Sequence, residues 1–230
     1  MTLTTKNFST GYQNKDVIKS INLTLENVEW LGIIGANGSG KSTFLKGISR
    51  ILKPSSGAAF LNGQNIHLSS TQSIAKEISV LPQLQTIDLQ MSVYELVCLG
   101  RSPHKRWWET DLHEKDLLKV DQSLALTDMT NLKDKPVRAL SGGQRQRAFL
   151  SLALAQDSKT LLLDEPTTFL DVHYQLQFLD LLKGLNKEQK LSIITVIHDV
   201  NLAARYCDRI AVLKDGSLIA LDSPGNVLTS

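Results

Sequence analysis

Apolar positions along the chain follow two rhythms. Leu23 and Leu25 alternate with Asn22, Thr24 and Glu26, the period of two that marks a half-buried strand. Trp30-Leu31-Gly32-Ile33-Ile34 follows as a nearly unbroken apolar run, which predicts a strand covered on both faces. Leu161-Leu162-Leu163 and Ile193 to Ile197 are two more such runs, each ending in acidic or imidazole side chains. Helical spacing fills the intervals: one helix is expected to open from a glycine-rich turn and run through about Arg50, and another to run from about Gln144 to Ala155 behind Gly142-Gly143. Strands alternating with helices predict an α/β domain rather than a sandwich or a bundle. No internal repeat interrupts the pattern, and Met1 to Phe8 reads as the first strand.

From about Gln83 to Arg138 the texture changes. Gln-, Asp- and Lys-rich segments take over, with helical patterns at Ser92 to Leu99 and Glu114 to Leu126 and no strand-like run, so an inserted helical lobe closed by Pro136 is expected. Near the end, Arg209 to Leu213 and Ser217 to Ala220 flank Lys214-Asp215-Gly216, and Asp-Gly between apolar runs predicts an antiparallel hairpin.

Composition narrows the class without naming a function. The 230 residues suffice for one large domain with a modest insertion, and 42% hydrophobic with 21% charged residues excludes disordered, collagenous and coiled-coil chains. A net charge of +2 argues against a nucleic-acid partner held through phosphate neutralisation. Cys98 and Cys207 lie far apart in apolar settings, against a disulfide framework or a cysteine metal site and in keeping with a reducing cytoplasm. Phe149 to Ala155 and Leu191 to Ile197 are far shorter than a membrane span, and the first residues lack the pattern of a secretory signal.

Chemistry enters with Gly35-Ala36-Asn37-Gly38-Ser39-Gly40-Lys41-Ser42-Thr43, which matches G-x-x-x-x-G-K-[ST], the phosphate-binding P-loop, in the strand-then-helix context that its mechanism requires. The glycines let successive N–H groups face phosphate oxygens at a helix N-terminus, Lys41 brings a cation to the β- and γ-phosphates, and Ser42 offers a hydroxyl to Mg²⁺. A P-loop is shared by kinases, GTPases, helicases and transport ATPases, so it fixes a nucleotide and not a function. Asp164-Glu165 closes the Leu161–Leu163 strand. Taken alone the pair reads as an acidic capping turn or as a metal site; with the P-loop upstream, Asp164 is expected on Mg²⁺ and Glu165 beside the attacking water.

Leu140-Ser141-Gly142-Gly143-Gln144 resembles the signature motif of the ATP-binding cassette (ABC) family, and physically it is a second anion site at a helix N-terminus. With the P-loop and Asp164-Glu165 in this order, the chain resembles that family almost from end to end. The resemblance implies an ABC ATPase fold: an α/β P-loop NTPase core with an N-terminal antiparallel β subdomain, over residues 1–82 and 139–230, and an inserted α-helical lobe over 83–138. It implies ATP and Mg²⁺ as ligands, with Tyr12 stacked on adenine, Gln83 joining Ser42 and Asp164 around Mg²⁺ or reaching the attacking water, Glu165 as general base and His198 as the γ-phosphate sensor. Phe169-Leu170-Asp171 resembles the family's dimer-contacting loop, with Asp171 as the contact. Ser141, Gly142, Gly143 and Gln144 are expected to act on the ATP of a second copy, in a head-to-tail dimer that sandwiches two nucleotides and loosens on hydrolysis.

The implied partners are that second copy, two transmembrane permease subunits and, indirectly, an extracytoplasmic substrate-binding protein, with the chain peripheral on the cytoplasmic face of a bacterial or archaeal membrane. Tyr94-Glu95-Leu96-Val97, Gly100-Arg101-Ser102-Pro103-His104, Thr167-Thr168-Phe169-Leu170-Asp171 and His198-Asp199-Val200-Asn201-Leu202-Ala203-Ala204 resemble importers of ferric siderophores, haem and cobalamin. Manganese and zinc importers share much of this. The ATPase of another transporter such as an exporter, a non-transport ABC ATPase and a nucleotide-binding regulatory module without hydrolysis are the further alternatives. Non-transport members usually carry tandem cassettes or a long coiled-coil insertion, and the regulatory module is disfavoured by the presence of both Glu165 and His198. Trp107-Trp108, after Lys105-Arg106, reads equally as a docking surface for a membrane partner or as lobe core. Ala36 departs from the proline common in relatives and leaves the loop intact. Relatives of this branch often continue by a further strand beyond the position of Ser230, and no regulatory C-terminal domain is expected.

Overall fold

A computed structural model describes residues 2–13, 15–82, 90–106, 109, 111–168 and 170–228. In chain order, β1 (Leu3–Tyr12) and β2 (Lys15–Leu25) form a hairpin, and β3 (Trp30–Ile34) runs through the glycine loop into α1 (Lys41–Ile48). Then come β4 (Pro54–Leu61), β5 (Gln64–Asn65), α2 (Thr71–Ala75) and β6 (Ile78–Leu81). Helix α3 (Val93–Cys98), a 3-10 segment (Leu99–His104), α4 (Glu114–Leu126) and α5 (Gly142–Ala155) follow. The chain closes with β7 (Thr160–Asp164), α6 (Val172–Glu188), β8 (Ser192–Val196), α7 (Val200–Tyr206), β9 (Arg209–Lys214), β10 (Ser217–Asp222) and α8 (Pro224–Val227).

Two sheets result. One is antiparallel, in the order β2-β1-β4-β5; the other runs β10-β9-β3-β8-β7-β6, parallel except for its edge strand β10, which pairs antiparallel with β9 through the expected Asp215-Gly216 hairpin. Because side chains alternate along a strand, the central strands of the parallel sheet feed two cores. Trp30, Ile34, Leu161, Leu163 and Ile193 face a cluster built with α3, α4, α5 and α6. Leu31, Ile33, Leu162, Ile194 and Val196 face a second cluster, where Phe44, Leu45 and Ile48 of α1 pack between the two sheets. The buried runs of the sequence are therefore buried on both sides, as their lack of alternation predicts.

Several elements differ from the sequence reading: the first strand, read as Met1 to Phe8, runs on to Tyr12, and the last, read to Ala220, runs to Asp222. Helix α5 begins at Gly142, not near Gln144, because Ser141 caps it: Ser141 Oγ accepts from Gln144 N at 3.3 Å and Ser141 N donates to Gln144 Oε1 at 3.1 Å. The reciprocal pair outweighs the low helix propensity of two glycines. Helix α1 ends at Ile48. A short α2, capped by Ser70, stands before β6, in a stretch to which the sequence reading assigned no element. Helix α3 lies within the segment read as helical, capped by Ser92, and α7 is capped by Asp199.

The lobe is pinned by a buried ion pair. Arg101 Nη2 and Nε donate to Asp116 Oδ1 at 2.8 and 3.0 Å, and Nη1 donates to the carbonyl of Ala155 at 2.7 Å, so one guanidinium joins the 3-10 segment, the start of α4 and the end of α5. Burial alone would raise the Asp116 pKa; the hydrogen bonds and charge of Arg101 outweigh it and hold the carboxyl below its ordinary range.

Candidate functional site

Strands β3, β8 and β7 are neighbours, and their carboxyl ends lie level: Ile33 pairs with Val196, and Asp164 with Val196. The three loops that leave these ends carry the P-loop, His198 and Glu165, so the sheet register itself assembles the site at the edge where parallel sheets place ligands. A cleft of about 570 Å³ opens there, with Lys41, Ser42, Glu165 and His198 in its walls.

In the P-loop, Gly38 and Gly40 sit at φ +80° and +102°, backbone conformations that side chains rarely adopt. Gly40 is the N-cap of α1, no side chain caps that terminus, and the first-turn amides are thus presented with the positive end of the helix dipole. Lys41 is 5% exposed; its Nζ donates to the carbonyls of Gly35 at 2.9 Å and Ala36 at 3.0 Å, which hold the cation within the loop. The Ser39 hydroxyl is buried without a hydrogen-bond partner, close to Gly35.

Ser42 Oγ donates to Asp164 Oδ1 at 2.8 Å. Burial pushes the Asp164 pKa up and Glu165 adds to this, while the Ser42 hydrogen bond opposes both. Two hard oxygen donors beside a phosphate cradle fit Mg²⁺, which keeps several waters and is usually held by one or two carboxylates plus substrate phosphates. No group of three or more acidic, histidine or cysteine side chains arranged for a metal occurs among the described residues.

Glu165 follows Asp164 at φ +51°. Its Oε1 lies 2.6 Å from His198 Nε2, and its Oε2 accepts from Thr168 Oγ1 at 3.2 Å. The carboxylate is thus held from two sides in the wall of the cleft that the P-loop also lines. Asp199 caps α7 through the amides of Asn201 and Leu202, which fixes the backbone beside His198.

Other expected site residues lie elsewhere. Among the described residues the cleft walls do not include Tyr12, Asp171 or Ser141 to Gln144. Tyr12 stands on the β1–β2 hairpin, 46% exposed, and Asp171 caps α6 by accepting from Tyr174 N at 3.0 Å. The Ser141 hydroxyl oxygen serves the Gln144 amide, which leaves its proton to donate. Gln83, Phe169, Trp107 and Trp108 fall outside the described residues. Two wall residues escape a linear reading. Val17 of β2 approaches Gly40, and Thr168 turns back onto Glu165; each depends on a contact made only in the fold.

A family model described as ABC transporter matches residues 18–168, the stretch from β2 through the P-loop and the signature motif to Thr168. The chain belongs to the ABC transporter family. The cassette is an ATP-binding subunit, and such subunits are ATPases coupled to transport. It is 42% identical over 226 residues to the achromobactin transport ATP-binding protein CbrD of Dickeya dadantii, covering 98% of this chain and 84% of that one. It is also 42% identical over 227 residues to the iron(3+)-hydroxamate import ATP-binding protein FhuC of Bacillus subtilis, covering 99% and 84%. Among solved structures, cbiO1 from Clostridium perfringens, part of the ABC transporter complex cbiONQ, superposes with a TM-score of 0.86 at 31% identity over 99% of this chain and 90% of that one. Among the described residues of the cassette no helix is long and apolar enough to cross a membrane.

Proposed function

We propose that the cassette is the ATP-hydrolysing subunit of a bacterial or archaeal importer that takes up a ferric siderophore complex, working from the cytoplasmic face on two permease subunits supplied by an external binding protein. The observation that carries the chemistry is the 2.6 Å contact of Glu165 Oε1 with His198 Nε2 beside the P-loop. The cargo rests on the relatives, two of which are named for achromobactin and iron(3+)-hydroxamate.

In this reading the first-turn amides of α1 and Lys41 bind the β- and γ-phosphates, and Tyr12 stacks on the adenine. Ser42, Asp164 and Gln83 hold Mg²⁺, which when bound neutralises charge across the phosphates. Glu165 orients the attacking water and accepts its proton, and His198 keeps the carboxylate aimed while sensing the γ-phosphate. Such a base contributes about 10²–10⁴ in rate. Family ATPases of importers dimerise, and a solved neighbour of the cassette is described as dimeric. We place Ser141 to Gln144 on the ATP of the second copy, with Asp171 at the contact, so that each nucleotide bridges two chains. The γ-phosphate then holds the dimer closed, and its loss lets the lobe, residues 83–138, move with the permease.

Deletion of the gene should abolish uptake of radio-iron presented as a ferric hydroxamate, and wild-type protein but not Glu165→Gln should restore it. Unchanged ferric uptake alongside lost haem or cobalamin uptake would contradict the cargo assignment and leave the ATPase assignment standing.

A further inference from the structure

Tyr174 is 48% exposed at the start of α6, and a side chain of that size at a helix N-terminus would ordinarily have the solvent on most sides. Instead the base of its ring lies against the signature motif. A Cβ built on Gly143 would stand 3.3 Å from Tyr174 Cδ1 and 3.5 Å from Cγ, so the glycine leaves room for the ring to approach α5 closely, and any side chain there would press on it. The ring also meets His173, centroids 5.6 Å apart in an edge-on arrangement, and His173 is itself tied to Gln177 at 2.9 Å. The half-exposed ring is therefore in contact with a neighbour on its own helix and with the first turn of α5.

The backbone under the ring is equally constrained, and the constraint runs back to Glu165. Thr168 N donates to Glu165 O at 3.3 Å, and Leu170 N donates to Thr167 O at 3.1 Å. Gln175 Nε2 donates to the carbonyls of Thr167 and Leu170 at 3.2 and 2.9 Å. Asp171 then caps the Tyr174 amide. These hydrogen bonds link Glu165, Thr167, Thr168, Leu170, Asp171 and Gln175 into one set, with Glu165 at one end and Tyr174, beside Gly143, at the other.

We propose that Tyr174 is a positioning residue: its ring, packed on Gly143, sets where the signature turn stands relative to the Glu165 turn of the same chain. This rests on the reading above in which Ser141 to Gln144 serve the second copy's ATP. The motif that a chain lends to the opposite nucleotide is then held in register with the carboxylate that the chain uses on its own. Truncation of the ring leaves Gly142-Gly143 without lateral support at the moment it must meet the opposite γ-phosphate. P-loop binding within one chain does not involve the contact and is expected to be unaffected.

The test uses the full chain carrying Glu165→Gln, with ATP-driven dimerisation followed by light scattering and ATP binding by each single chain followed with a fluorescent analogue. Adding Tyr174→Ala should raise the ATP concentration needed for half dimerisation by about tenfold, in line with coupling energies of contacting residues. Single-chain ATP affinity should stay within about twofold, and Tyr174→Phe should dimerise like its Tyr174 parent, because the ring and not the hydroxyl makes the contact. Dimerisation of the Tyr174→Ala form at the parent's ATP concentration would overturn the proposal, as would a Tyr174→Phe form as impaired as Tyr174→Ala. Failure of the Glu165→Gln parent itself to dimerise on ATP would overturn the sandwich reading instead.

Discussion

Glu165 occupies the left-handed region at φ +51°, a conformation that costs a non-glycine residue about 1–3 kcal/mol and is retained where the surroundings over-determine it. Here the surroundings are the 3.3 Å turn to Thr168 N and the 2.6 Å contact with His198. Both Glu165 and His198 were legible in the sequence because each stands just past a buried apolar run, and the end of a parallel strand is a place the sequence can locate. Thr168 and Val17 were not, since nothing in the chain near either announces the partner that the fold brings. Away from the site, His67 stacks on Phe8 at 6.0 Å, with Nε2 on the carbonyl of Leu52 and Nδ1 buried without a partner. Burial lowers its pKa below the ordinary 6.5, helped by the nearby charge of Arg50 and opposed by the Leu52 hydrogen bond. A depressed pKa means that the unfolded chain takes up the proton first, so His67 contributes stability above pH 6.5 that is lost as pH falls toward its folded value. Urea midpoints measured from pH 7 down to pH 5 should fall less steeply for His67→Gln than for wild type, and an unchanged slope would show that other groups set the acid limb.

At the scale of elements, what the sequence could show was governed by capping and burial. The start of α3 was readable at Ser92, and β3, β7 and β8 from their apolar runs. Strand β4 was not readable, because Pro-Ser-Ser-Gly-Ala-Ala has neither alternation nor β-branching; it is a strand because β1 pairs with it from Leu3 opposite Leu61 to Thr10 opposite Pro54. Helix α5 was read from its apolar face, yet its role as the element packed against both α3 and α4 emerges only in the fold. Its far end depends on Arg101, whose ion pair with Asp116 is almost wholly buried, at 6% and 2% side-chain exposure. Arg101→Met would leave the Asp116 carboxylate buried without its partner and the Ala155 carbonyl without a donor. The expected loss is about 3–5 kcal/mol in urea unfolding, as for other buried pairs broken on one side. A loss below about 1 kcal/mol would mean that water reaches Asp116 and the pair is not the pin of the lobe.

For the whole molecule, the net charge of +2 is compatible with a phosphate cradle made from a helix N-terminus and one lysine, which needs no basic face. ABC importer ATPases work with membrane permease subunits, and among the described residues of this cassette no helix is long and apolar enough to cross a membrane. The central claim is that Glu165 is the base for ATP bound in the cleft between β3, β7 and β8. It is tested most directly by phosphate release and nucleotide retention measured side by side on wild type and Glu165→Gln, each with Mg²⁺ and with a chelator. Wild type should turn over ATP only with Mg²⁺, and Glu165→Gln should keep its ATP while losing about 10²–10⁴ of the rate. Glu165→Gln turning over at the wild-type rate would contradict the account.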